Sequence, residues 1–435
     1  MERRLNAGDD RPATASELGD SGPSGRRPVA MLVHSYYDED PRVRREAESL
    51  AAAGRPVDVF ALRRPNDPPE GDLGGVLVHR LDVQRHQGAG IATYVGEYLA
   101  FVVRAGWAVS RSHRRRRYGL LQVHTPPDFL VAAGLPLRLV GVPIVLDLHE
   151  AMPEFFRSRF PRASNPIVHA VLRLQERLSI GLATAAITVN EAMRERLVGL
   201  GVAPGKVAVV PNSPSLERFD PARHDHRPFA ADGTVRLVYA GALTPVYELE
   251  VALDALARIR DARRDVDVRL DVYGRGDAAE HLIEQAARLR LGDLVAFHGR
   301  IPIDEVPSAV ARADIGLAPT RRDRFTDVSL STKVFEYAAM GKPVVASRLP
   351  MVERTFPAGS VATYEPGDPV SLAAAILGLV DDPLARLEAT TRTGEVVRGA
   401  AWEREAGRYL ALVERLAVDG DRGAGRERPD EADRA

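Results

Sequence analysis

From residue 28 onward the chain alternates short, β-branched apolar runs with longer stretches of helical periodicity, and this alternation constrains the fold more than any other feature. The runs at 28–34 (PVAMLVH), 56–61, 75–81, 119–123, 143–147, 184–189 and 206–210 read as strands, because they are apolar almost throughout and too short for helices. A strand apolar on both side-chain rows needs cover on both faces, which is the condition of a parallel sheet flanked by helices. Asp40 followed by Pro41 opens a helix over 41–53, an N-cap acid with proline at the first helical position. The alternation pauses at a polar, proline-rich stretch, 211–233. It then restarts, with strands at 235–240, 267–273, 294–298, 314–318 and 343–347 and helices at 247–260, 278–290, 303–312 and 331–340. A chain of 435 residues is too long for one ordinary core, so the reading is α/β, with two doubly wound parallel-sheet domains facing across a cleft. Ligands bind such sheets at the carboxyl ends of the strands, and a two-lobed chain offers the cleft as its pocket.

The expected organisation is a disordered leader (1–27), a first domain (28–212), a linker (213–233) and a second domain (234–400). A C-terminal helix (401–418) is expected to pack back on the first domain, followed by a disordered tail (419–435). The leader is polar, rich in Gly, Pro, Asp and Arg, and lacks the apolar stretch of a signal peptide. A net charge of −1 provides no global field for nucleic acid or an anionic membrane. The absence of cysteine excludes disulfides, thiolate metal sites and a cysteine nucleophile, and fits a reducing cytosol. Residues 91–110 are largely apolar, but Glu97 and Arg104 interrupt them, so a spanning helix is a poor reading. The basic end, Arg114–Arg117, is either solvated or in peripheral contact with anionic lipid at the inner membrane face.

Of 59 Lys+Arg only three are lysine: Lys206, Lys333 and Lys342. Two of them fall in STKVFEYAAMGKPVVAS (331–347), either by chance, since a few lysines must fall somewhere, or because drift towards arginine spares a lysine that must be a compact ammonium on a flexible stem. Ser331 or Thr332 would cap the helix there, and its free amides attract phosphate. Arg321, Arg322 and Arg324 stand just before it, and Glu336 lies one turn after Lys333. Arginines and amides on a diphosphate, with a carboxylate on a ribose diol, outline a nucleotide-diphosphate site; a solvated helix with a surface Lys–Glu pair fits the same spacing. Glycine directly follows three strand runs, in VYAGALTP (238–245), VYGRGD (272–277) and FHGR (297–300), but Ala279 breaks the dinucleotide fingerprint GxGxxG. In the first half, Asp147, His149 and Glu150 end a strand. His149 can act in acid–base chemistry, hydrogen-bond a sugar hydroxyl, or simply cap the following turn. A metal reading is thin because no second histidine stands at ligand spacing nearby. Asp38, Asp40 and Arg42 face the same strand-end rim and are either acceptor-side or solvated.

In order along the chain, DPRVRREAESLAAAG, LDLHEAMPE, VVPNS, YAGALTP and DRFTDVSLSTKVFEYAAMGKPVVAS resemble the family 4 retaining glycosyltransferases of the GT-B fold, over about residues 28–417. The resemblance implies two Rossmann-like domains, the first taking the acceptor and the second the nucleotide-sugar, with no metal and no cofactor. The implied reaction is transfer of a sugar, a hexose by expectation, to a glycan, lipid-linked or small-molecule acceptor, with front-face attack and electrostatic stabilisation of the leaving diphosphate. On that resemblance Glu336 is the ribose carboxylate, His149 the first-domain histidine near the donor sugar, and Gly241 part of the diphosphate loop. Lys333 becomes a ligand facing the diphosphate, and Lys342, after Gly341 at the helix end, a structural cation. The chain departs from the family where a first Glu would stand (Val328), where Arg and Lys would follow the glycine loop (Ala242 and Tyr247), and in its first loop, SYYDEDPR. A sugar-nucleotide epimerase on the same fold, which lacks a separate acceptor, stays open, and these departures keep open a non-catalytic scaffold subunit.

Overall fold

A computed structural model describes residues 25–83 and 91–418. The expected leader, apart from 25–27, and the expected tail lie outside the described residues. The first lobe holds β1 (Val29–Val33), β2 (Val57–Leu62), β3 (Glu70–Leu73), β4 (Val76–Leu81), β5 (Leu120–His124), β6 (Ile144–Leu148), β7 (Ala185–Thr188) and β8 (Val207–Val209). They form one sheet in the order β3-β4-β2-β1-β5-β6-β7-β8, parallel except for β3, which runs antiparallel to β4. The second lobe holds β9 (Thr234–Ala240), β10 (Asp267–Tyr273), β11 (Val295–Gly299), β12 (Ile315–Ala318), β13 (Val344–Ser347) and β14 (Ala362–Tyr364). Its sheet is parallel throughout, ordered β11-β10-β9-β12-β13-β14. The fold is therefore GT-B-like: two parallel-sheet α/β lobes.

Because successive strand residues point to opposite faces, each central strand of the first lobe feeds two cores. Ala30, Leu32, Leu121 and Val123 pack with Phe101, Ala105 and Val109 of the helix Ile91–Arg116. Val29, Met31, Val57 and Val59 pack on the other face with Val43, Ala47 and Leu50 of the helix Pro41–Ala52. Trp402, Tyr409, Leu412 and Val413 of the last helix, Trp402–Leu416, complete that second face. The chain thus returns from the second lobe to the first. The stretch 211–233 is not a free tether: Phe219 is buried in the second lobe's core with Val238 and Val334.

The lobes touch at the carboxyl ends of their strands. Ser158 donates to Asp323 at 2.6 Å, Asn190 Nδ2 donates to the Val328 carbonyl at 2.9 Å, and Phe155 meets Phe325 edge to face. Glu39, just after β1, pairs with both Arg275 and Arg300, just after β10 and β11.

Candidate active site

Between the lobes lies a cleft of about 580 Å³, lined by Asp40, Arg42, Arg45, His149 and Glu150 from the first lobe. Gly241, Tyr247, Tyr273, Arg275, Lys333 and Glu336 line it from the second. A smaller recess of about 160 Å³ continues from it under the loop 325–332, sharing His149, Glu150, Tyr247 and Lys333.

Lys333 is the centre of the second lobe's wall. It sits in the first turn of the helix Thr332–Ala339, which is pinned to β9 by Tyr337, whose hydroxyl accepts from the Ala240 amide at 2.9 Å. Only 7% of Lys333 is exposed. Its ammonium lies 3.8 Å from the ring centroid of Tyr247 and 5.2 Å from that of Tyr239, an aromatic cradle for a cation. Among the described residues it makes no ion pair. Burial pushes its pKa down to about 8, with the Glu336 charge opposing that drop. Glu336, half-buried, has its pKa raised by burial while Lys333, Arg45 and Arg218 pull it back. A buried ammonium short of a carboxylate partner is able to accept an external anion.

The glycine after β9 has a specific reason. A Cβ on Gly241 would stand 2.2 Å from Lys333 Cε, so any larger residue there would displace the end of the lysine from its present position. A Cβ on Gly274 would stand 1.8 Å from the Gly241 carbonyl oxygen, so the two post-strand loops are pressed together. The glycines therefore serve close approach within the protein as much as approach to a ligand.

On the first lobe, Asp147 is fully buried at the end of β6 and takes two hydrogen bonds from Arg42, at 2.7 and 2.9 Å. Burial alone would raise its pKa, but Arg42 and then His149 hold it well below the usual carboxylate range. Its Oδ2 also lies 3.2 Å from His149 Nε2 and 3.1 Å from His124 Nδ1, and the two imidazole nitrogens are 3.2 Å apart. A buried chain runs behind this cluster. Tyr409 donates to Gln122 at 2.8 Å, Gln122 donates to Glu46 at 2.7 Å, and Glu46 pairs with Arg42 at 3.3 Å. Glu150, facing the cleft, has its carboxyl pushed up to about 7 by burial.

The expectation that no second histidine stands near His149 is corrected here. His124 arrives from β5, which neighbours β6 in the sheet, a relation that residue spacing does not show. His124, Asp147 and His149 place their ligand atoms within 4.8 Å of one another, so the donor set could hold a metal. The carboxylate is already engaged on both oxygens by Arg42, and a cation would have to compete with that guanidinium.

Other expected residues fall differently. Arg321, Arg322 and Arg324 do not line the main cleft. The loop carrying them closes on itself, with Thr326 Oγ1 donating to the Arg321 carbonyl at 2.7 Å and accepting from the Asp323 amide at 2.8 Å. That turn commits Arg321 to Ser158 and Asp323, and Arg322 to Asp327. Besides Arg42, which is held by Asp147, the cations in the cleft are Lys333, Arg45, Arg218, Arg275 and Arg300. Ser331 holds the N-cap position but its side chain makes no capping bond; with Thr332 it lines the recess. Asp40 caps its helix through the Val43 amide at 3.2 Å and accepts from Ser35, so it is largely committed to structure. Asp38 pairs with Arg64 outside the cleft, and Glu39 takes the rim position instead. Lys342 donates to the Ala311 carbonyl at 2.7 Å, at the end of a neighbouring helix rather than its own.

Two stretches of the chain match known families. Residues 40–213 match the family described as Glycosyl transferase 4-like domain, and residues 234–382 match Glycosyl transferases group 1. The chain is 29% identical over 358 residues to glycogen synthase of Mycobacterium tuberculosis, covering 78% of this chain and 81% of that one. It is 25% identical over 421 residues to D-inositol 3-phosphate glycosyltransferase of Pseudarthrobacter chlorophenolicus, covering 90% and 96%. Its fold resembles Anabaena HepE, solved in complex with UDP and glucose, with a TM-score of 0.67 and 15% identity, over 89% of this chain and 99% of that one.

Proposed function

The chain belongs to the group 1, family 4-like glycosyltransferases, and on that premise we propose that it moves a sugar from a nucleotide diphosphate to an acceptor hydroxyl with retained anomeric configuration and without a metal. The observation that carries this reading is Lys333: a buried ammonium, cradled by two tyrosines, without an ion pair among the described residues, one turn from Glu336 and beside Gly241. In this reading the diphosphate binds Lys333 and the open amides at the start of its helix. Glu336 accepts from the ribose hydroxyls, and the base lies along Tyr273, Arg300 and Ile301. The sugar then points into the recess towards His149 and Glu150. As the bond from the anomeric carbon to the diphosphate breaks, Lys333 stabilises the charge left on the phosphate oxygens. The acceptor hydroxyl forms its bond on the same face and passes its proton to the leaving diphosphate. On the resemblance, Ala242 and Tyr247 stand where the family carries cations; Lys333, whose ammonium lies 3.8 Å from the Tyr247 ring centroid, supplies that charge in this reading.

Uridine diphosphate is the first carrier nucleotide to test, because the HepE structure holds it. Calorimetric titration with UDP, followed by turnover on a panel of UDP- and GDP-sugars in chelator, tests the reading. Glu336→Ala is expected to weaken nucleotide binding by about 1–3 kcal/mol, since it leaves ribose donors unpaired. Unchanged affinity would remove the ribose assignment, and no nucleotide binding by the wild type would favour a scaffold. Transfer that requires an added divalent ion would overturn the metal-free step.

A further inference from the structure

The first lobe carries a second surface that the transfer site does not use. On the helix Ile91–Arg116, Phe101, Ala105 and Val109 face the core, while Val95, Leu99, Val103 and Trp107 repeat every four residues on the outside. Val103 is 70% and Trp107 67% exposed. The helix Pro166–Leu182 has the same construction: Ile167, Val171, Leu174 and Leu178 all point outwards, each more than half exposed. Both helices cover the same sheet face, through Phe101 and Ile180, and both pack on the segment Asp128–Gly134. Their outer stripes therefore look the same way, and scattered exposed leucines do not explain two aligned rows.

The charges on this face decide its occupant. Arg104, Arg111, Arg114 and Arg115 are exposed on the first helix, and Arg173 and Arg177 on the second. The carboxylates of the two helices, Glu97 and Glu176, are buried. In a chain of net charge −1 this is a strongly one-signed surface. A two-fold contact with a second copy sets the same patch against itself, bringing arginine against arginine. A bilayer with anionic headgroups satisfies both halves of the pattern, taking the apolar row at the acyl boundary and the guanidinium groups at the phosphates. No helix among the described residues is long and apolar enough to cross a membrane. We infer that this two-helix face docks the first lobe flat on an anionic lipid surface, with its acceptor rim beside the bilayer.

The test is flotation of the full chain with vesicles of phosphatidylcholine alone and of phosphatidylcholine mixed with phosphatidylglycerol. The chain is expected to float only with the anionic vesicles, and the emission of exposed Trp107 is expected to shift to the blue. Leu99→Ser with Val103→Ser and Leu174→Ser, and separately Arg111→Glu with Arg115→Glu, should each lower the partition about tenfold or more. UDP affinity and the thermal midpoint should stay unchanged, because these side chains are solvent-facing and remote from the cleft. Failure to float, or equal flotation with neutral vesicles, overturns the inference. A dimer in solution that the serine variant dissociates would assign the face to a second copy instead.

Discussion

Lys333 shows how one residue's meaning changes once its surroundings are known. Composition marks it as an unusual survivor, yet its low pKa arises from burial against Tyr239 and Tyr247, which lie far from it in sequence. The lysine's pKa falls from 10.5 in the unfolded chain to about 8 in the fold. Below about 8 it is charged in both states and the cost of burying the charge is fully present. Stability then rises as pH climbs from about 8 towards 10.5, because the unfolded chain binds the extra proton. A bound diphosphate favours the charged form, so UDP binding above pH 8 is expected to take up a proton. Calorimetry in two buffers of different ionisation enthalpy should show the uptake, and Lys333→Met should abolish it. His149→Ala is expected to lower turnover more than nucleotide affinity, since His149 faces the recess from the other lobe; wild-type kinetics would remove it from the reaction.

At the scale of elements, the last helix links the second lobe's end to the first lobe's site. Tyr409, on that helix, begins the buried path through Gln122, Glu46 and Arg42 to Asp147 and His149. Removing its hydroxyl strands a buried amide oxygen, at a cost of about 1–3 kcal/mol. Tyr409→Phe should therefore lower stability in denaturant titration by that amount while leaving UDP affinity unchanged, because the proposed nucleotide site is on the other lobe. Loss of UDP binding would show that the two lobes do not act separately. The loop 320–332 is the opposite case. Its arginines stand in sequence just before the helix that carries Lys333, but the Asp323–Thr326 turn directs Arg321 to Ser158 of the first lobe and leaves Arg322 paired with Asp327 of the same loop.

At the scale of the molecule, the cleft is spanned by charges that are only partly buried. Glu39 pairs with Arg275 and Arg300, and Arg44 with Asp304. Exposed pairs of this kind contribute about 0–1 kcal/mol each and are screened by salt. Glu39→Ala is expected to let the lobes open, seen as a larger radius of gyration in small-angle scattering. Arg263→Ala, which breaks pairs within the second lobe, should leave it unchanged. Equal radii for both variants would show that the lobes are held by the Phe155–Phe325 and Asn190–Val328 contacts instead.

The two-sheet architecture was legible in the chain because it rests on local periodicity: a strand buried on both faces is apolar at most of its positions, with buried exceptions such as Asp58, Gln122, His124 and Asp147. The strands β3 and β14 were not, since EGDL is a polar, exposed edge and ATY only three residues long. Of the site, the segment containing Lys333 and Glu336, and the strand-end glycine Gly241, could be marked from residue types and spacing alone. Its partners could not. The tyrosine cradle, the Arg42–Asp147–His124–His149 cluster and the five cleft cations converge through sheet order and lobe closure, and neither leaves a trace in the spacing of residues along one chain. Sequence by itself determined which segments carry charge and glycine at strand ends; tertiary structure decided which of those charges face each other, because only burial and distance set what an ammonium or a carboxylate is free to bind.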